Sequence, residues 1–153
     1  MNQKSNDTME TKLALATDIH TDKEVLDNLS HDRHVEVVWA VLLNESTSAE
    51  TMINTIKRRY YDNGILCTLA FECKRPEVLR VIAEVCRNGR VLRVLASNPN
   101  TPADALSHLA NLEGRRGPII FEIYRNPNTP KGVKENLKNN KVIQNKIRAG
   151  TLT

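Results

Sequence analysis

A chain of 153 residues is long enough to bury the core of one domain, and its 40% hydrophobic content is that of a soluble protein. Only 4% of residues are aromatic, which argues against a stacking platform for single-stranded nucleic acid, and no apolar run is long enough to span a membrane. The net charge of +4 hides a gradient: residues 1–76 carry 9 Lys/Arg against 12 Asp/Glu, residues 77–153 carry 13 against 6, and halves of −3 and +7 bear on partners rather than on fold.

The first residues, MNQKSNDTMETK, lack the apolar core of a secretory signal. They read as a disordered tail over 1–10, ahead of one repeat domain over 11–150. Three cysteines make no pairable even set and fit reduced, cytoplasmic surroundings. Beyond the tail the chain repeats itself. Asp18-Ile19-His20-Thr21-Asp22 is followed by Asn44-Glu45-Ser46-Thr47-Ser48, then by a degenerate Phe71-Glu72-Cys73-Lys74-Arg75-Pro76. The clearest pair comes last, Asn98-Pro99-Asn100-Thr101-Pro102 and Asn126-Pro127-Asn128-Thr129-Pro130. Taken from their first residues, 18, 44, 71, 98 and 126, the copies are spaced by 26, 27, 27 and 28.

Each copy reads as a joint between two helices. Threonine is expected to accept from the free N–H groups of the helix that follows, with Glu24 and Glu50 completing capping boxes. Proline beside the cap costs no hydrogen bond and stops the preceding helix from running on. Before the joints lie apolar stripes such as Val38, Val41 and Leu42, or Val91, Leu92 and Leu95. After them come Met52, Ile53 and Ile56, or Ala105, Leu106 and Leu109. No copy can bury both stripes alone, so neighbours must stack. Asn63-Gly64 and Asn88-Gly89 are expected to end second helices with a left-handed residue, and Glu113 to Pro118 to do so with extra length.

Asn-Pro-Asn-Thr-Pro followed by a Glu-Val-Leu-like helix start is similar to the variant leucine-rich repeat, a HEAT-like α-solenoid family. The likeness runs from residue 13 to about 140 and is weakest in the third copy. It implies an all-α, right-handed solenoid with α- and 3₁₀-type helices alternating, in which the spacing above makes about five helix-turn-helix repeats of 26–28 residues, a little longer than is usual in the family. No N-terminal cysteine cluster of the iron–sulfur kind precedes Cys67, and no cofactor is expected.

Cys67, Cys73 and Cys86 lack metal-ligand spacing and read as packed side chains. His31, Asp32 and His34 lie in a link between copies where polar residues are expected; a metal there is the minor reading, and no catalytic set emerges. Trp39 shares its repeat position with Leu13, Leu66 and Phe121, an apolar core site, whereas the fourth copy places Arg93 there. Basic residues make the candidate partner-binding set: Lys57, Arg58 and Arg59 at the end of a second helix, then Arg80, Arg87, Arg90, Arg93, Arg115, Arg116 and Arg125. Arginine's planar fork suits carboxylate or phosphate recognition. Lys131, Lys134, Lys138, Lys141 and Lys146 read as a solvated face.

The expected function is therefore a binding module and not an enzyme. Its concave face, lined from second helices by Asp27, Lys57, Arg58, Arg80, Arg87 and Ser107, would take another protein bearing an acidic patch. Binding of DNA or RNA backbone by the basic half is the alternative, with a HEAT-like glycosylase a distant third. No membrane partner is expected. A homodimer could form by stacking an uncapped end, with Val142, Ile143 and Ile147 available at the C-terminal one.

Overall fold

The computed structural model describes residues 8–58, 62–112 and 117–151, and among these it is all-α, with eleven helices and no strand. Within the stretch expected to be one repeat domain, the chain divides into two compact units, residues 1–60 and 61–153.

The first unit contains α1 (Met9–Thr17), α2 (Lys23–Leu29), α3 (Val35–Leu43) and α4 (Ala49–Arg58). Helix α1 starts at Met9, and the Thr8 hydroxyl accepts from the Thr11 N–H and caps it. Helix α1 packs on α3, and α2 contacts both. Ala16, Leu26, Leu29, Val37 and Val41 close into one core cluster, with Leu13 and Ala40 against it. Full burial of a leucine or valine contributes about 1.5–3 kcal/mol, so a handful of such side chains outweighs any exposed contact described below.

The second unit contains α5 (Asn63–Glu72), α6 (Pro76–Val85), α7 (Gly89–Ser97), α8 (Ala103–Asn111), α9 (Gly117–Arg125), α10 (Lys131–Lys138) and α11 (Lys141–Arg148). Odd helices pack in series, α5 on α7, α7 on α9 and α9 on α11, while α6 packs on α8. Both helices of each pair are α-helical, where the family likeness implies 3₁₀ turns in alternation. None of the described helices is long and apolar enough to cross a membrane.

The joints work differently from the sequence expectation. The threonine hydroxyl serves the helix before the joint, not the one after it. Thr21 Oγ1 donates to the Leu15 carbonyl at 2.7 Å, Thr47 to Val41 at 2.6 Å, Thr101 to Leu95 at 2.6 Å and Thr129 to Ile123 at 2.5 Å. A helix C-terminus leaves four carbonyls without intrahelical partners, and a buried one must be satisfied. The helices after the joints begin at Asp22, Pro102 and Pro130 without a side-chain cap; only Ser48 accepts from a first-turn N–H, that of Thr51. Neither Glu24 nor Glu50 closes a capping box among the described residues.

The joint asparagine completes the same task across copies. Asn44 Nδ2 donates to the Ala16 and Asp18 carbonyls, both at 2.9 Å. Asn126 Nδ2 reaches Ala96 and Asn98 at 2.8 and 2.9 Å, and Asn98 Nδ2 reaches Ala70 and Cys73 at 2.9 and 3.0 Å. On its other side each amide oxygen accepts from the N–H two residues on, at Ser46, Asn100 and Asn128. The carbonyls left over at one helix end are thus closed by a buried amide from the next joint.

Two further expectations are corrected. The third joint starts at Cys73, not Phe71: α5 continues through Glu72, Phe71 lies within it at 75% exposure, and Cys73 Sγ accepts from the Arg75 N–H as the asparagines do. The joints therefore fall at 18, 44, 73, 98 and 126. Asn-Gly pairs begin helices instead of ending them. Asp62 Oδ1 accepts from Gly64 and Ile65, and Asn88 Oδ1 from Arg90 and Val91. A Cβ on Gly64 would stand 2.9 Å from that Asp62 oxygen, which explains the glycine without a left-handed backbone. Among the described residues only Gly150 has a positive φ. The longer connection at 113–116 lies outside them.

Candidate binding surfaces

Of the six described arginines expected to meet a partner, four are bonded within the chain. Arg58, at the end of α4, donates to the Asn54 carbonyl and to the hydroxyls of Ser30 and Thr55, tying α4 to the end of α2. Arg87 folds its guanidinium onto the carbonyls of Glu84 and Cys86, both at 2.8 Å, which closes the end of α6. Arg80 pairs with Asp104, Nε to Oδ2 at 2.5 Å, linking α6 to α8. That pairing holds the Asp104 carboxyl below its usual range and raises the guanidinium. Arg93 reaches Glu122 at 3.4 Å and links α7 to α9. The break in the apolar pattern at Arg93 is thus an exposed ion pair between neighbouring odd helices.

The rest of the set divides. Lys57 and Arg90 are exposed, on α4 and at the start of α7. Arg125 lies over the Phe121 ring at 5.4 Å, where Lys146 of α11 also sits at 5.4 Å. Arg59, Arg115 and Arg116 lie outside the described residues. Of the residues expected to line a concave face, Asp27 accepts from the Thr51 hydroxyl at 2.8 Å, and Ser107 donates to its own helix at Ala103.

What the sequence treated as a solvated face is the larger store of unpaired charge. Residues 114–153 carry nine Lys/Arg against two Asp/Glu, the whole +7 of the second half. Both acids are already partnered, Glu122 by Arg93 and Glu135 by Lys138 at 2.8 Å. No described carboxylate lies within ion-pair distance of Lys131, Lys134, Lys141, Lys146 or Arg148. On α10 the spacing 131, 134, 138 puts three lysines on one stripe, beside that of Val133 and Leu137. Lys134 and Lys138 hold the joint-relative positions of Leu106 and Ala110, which are buried in α8. Aligning the copies residue by residue would have revealed this replacement; counting charges did not.

Clefts lie along the even helices. One of about 530 Å³ runs between α2 and α4, lined by Lys23, Glu24, Asp27, Ser48, Glu50 and Asn54 among others. A smaller one of about 210 Å³ lies between α6 and α8, flanked by Arg80, Glu84, Asp104 and His108. His108 Nε2 is buried there without a hydrogen-bond partner, as is Trp39 Nε1 in the first unit. Trp39 is half-buried.

The histidine cluster in the α2–α3 link is an ion-pair network. Asp32 accepts from Lys12 Nζ at 2.6 Å and from His34 Nδ1 at 2.7 Å, and the lysine contact above all holds its carboxyl far below the ordinary range. His31 Nδ1 faces the Asp27 carbonyl at 2.9 Å instead. Among the described residues no group of three or more His, Cys, Asp or Glu is placed to hold a metal ion. Cys67 and Cys73 are half-buried and Cys86 is buried; burial raises the thiols of Cys73 and Cys86, which disfavours the thiolate. No family model, curated protein or solved structure matches the chain.

Proposed function

We propose that this chain is a non-catalytic binding module, an α-solenoid of variant-leucine-rich-type repeats, whose partner is a protein with an acidic surface. The repeat reading is supported by the recurring joint and by its asparagine, which reaches back each time to the carbonyls of the preceding joint. The acidic partner is supported by one observation: the unpaired cations gather on α10 and α11, where their own acids are already neutralised. Relative to the expectation from sequence, the contact surface moves from the arginines of α4, α6 and α7 to the lysines of α10 and α11. Lysines with no carboxylate partner in the chain can meet one on a partner without breaking an internal ion pair.

Nucleic-acid backbone is the competing occupant, since phosphates would answer the same cations. Phe121, the exposed side of whose ring a base would need, already carries Arg125 and Lys146 at 5.4 Å from its centroid. The test is fluorescence anisotropy with a poly-glutamate peptide and with short DNA and RNA duplexes, at low and moderate salt. Peptide binding lost in Lys134→Glu/Lys141→Glu/Lys146→Glu, and retained in Arg87→Glu/Arg90→Glu, is the expected result. Tighter binding of a duplex than of the peptide would overturn it in favour of the backbone reading.

A further inference from the structure

The two ends of the chain are unlike each other, and each supplies what the other lacks. Seven residues after their N-caps, α3 and α7 bury Val41 and Leu95 completely, and Ile123 of α9, three residues before its joint as they are, is equally buried. The same position is open at both termini of the fold. It is Leu15 of α1, 39% exposed, and Ile147 of α11, 42% exposed. The N-terminal end adds Ile19 and Val25, 57% and 37% exposed, which share the wall of one cleft with Asp22 and Glu24. At the joint-relative position of Val25, Thr51 and Ala105 are buried.

Charge sorts the ends. Among the described residues from α1 to the start of α2, Glu10, Asp18, Asp22 and Glu24 are exposed against Lys23, and Lys12 is held by Asp32; Asp22 and Glu24 share the cleft wall with Ile19 and Val25. Helix α11, which carries Ile147, also carries Lys141, Lys146 and Arg148, and α10, packed on it, carries Lys134 and Lys138. Like ends would bring like charges together, whereas unlike ends bring an acidic apolar face to a basic one.

We propose that a second copy of this chain docks head to tail, its N-terminal α1–α2 face on the C-terminal α10–α11 face of the first. This rests on the proposed capture of an acidic protein surface and names that surface as the chain's own N-terminal end. Leu15 and Val25 of one copy then cover Ile147 of the other, and Asp22 and Glu24 face the lysines of α10 and α11. Such a contact is heterologous: it leaves one end of each type free, so it extends into short chains or closes into rings. Its ionic share is screened by salt.

Sedimentation velocity over a concentration series, at low and high salt, tests this together with two blocked variants. Ile19→Lys/Val25→Lys closes the N-terminal face, and Lys134→Glu/Ile147→Glu closes the C-terminal one. All four positions are exposed or half-buried, and unchanged helical circular dichroism checks that each variant folds. The expected result is association of the wild type at low salt, lost at high salt and lost in each variant alone. An equimolar mixture of the two variants then gives a one-to-one dimer and nothing larger, because one good face of each kind remains. Three outcomes overturn the proposal: a monomeric wild type at low salt, a mixture that stays monomeric, or self-association of the C-terminally blocked variant. A monomeric wild type that still binds poly-glutamate removes the self-docking and leaves the acidic-partner reading standing; failure to bind the peptide as well removes both.

Discussion

The joints at Asn98 and Asn126 and the joint at Cys73 solve one problem with unequal means. All three sit at the end of an odd helix, and all three offer an acceptor to the N–H two residues on. The asparagines also own an amide donor, and each places it on carbonyls of the preceding joint. A thiol has no equivalent pair of donors. The threonine is missing as well: three residues after Cys73 stands Pro76, the first residue of α6. The difference separates two jobs that the Asn-x-x-Thr pattern merges, a local turn that sulfur can serve and a cross-joint closure that needs the amide.

Changes of single atoms at these joints test that separation. Asn98→Asp keeps the acceptor but turns the donor into a buried negative charge facing the Ala70 and Cys73 carbonyls. The expected loss is about 3–5 kcal/mol in urea denaturation, the scale of an uncompensated buried charge. Asn126→Ala adds no charge but removes both the donor and the acceptor of the Asn128 N–H, and strands the Ala96 carbonyl, for an expected loss of about 2–3 kcal/mol. A larger loss for Asn126→Ala than for the isosteric Asn98→Asp would mean that packing, not the donor, holds the joint. Thr101→Val keeps the shape and deletes one hydroxyl. The Leu95 carbonyl keeps the Asn98 N–H at 3.2 Å, so the expected cost is about 1 kcal/mol. Cys73→Asn gives the Arg75 N–H a stronger acceptor in the local turn and should raise the unfolding free energy in urea by roughly 0.5 kcal/mol or less. A gain several times larger would show that the thiol is a true defect.

Much of the helix layout was legible because apolar stripes and the Asn-Pro-Asn-Thr-Pro signal mark where helices meet. Which end the threonine serves was not, since a hydroxyl both donates and accepts and sits within reach of two helix termini. Cys73 was passed over because a search for polar joint residues does not count sulfur as an acceptor. The candidate site was less legible still. Arg80 finds Asp104, and Arg93 finds Glu122, across 24 and 29 residues of chain, so a list of basic residues cannot separate engaged from available charge. The lysines of α10 misled in the opposite sense. They look like ordinary solvated charge until they are set against Leu106 and Ala110 in the copy before.

The sequence around the ladder amides also bears on chemical ageing. Asparagine deamidates when the backbone nitrogen of the next residue attacks its side-chain carbonyl, and a proline nitrogen carries no hydrogen to lose. Asn98 and Asn126 are each followed by proline, so this route to a buried aspartate is closed at the two positions where such a charge would do most harm. Asn63 and Asn88 are followed by glycine, the neighbour that least hinders the attack. Both stand at helix starts, where an added negative charge meets the positive end of the dipole. Over time in storage, the chain should therefore grow more acidic at two helix starts while its two proline-flanked joints keep their amides.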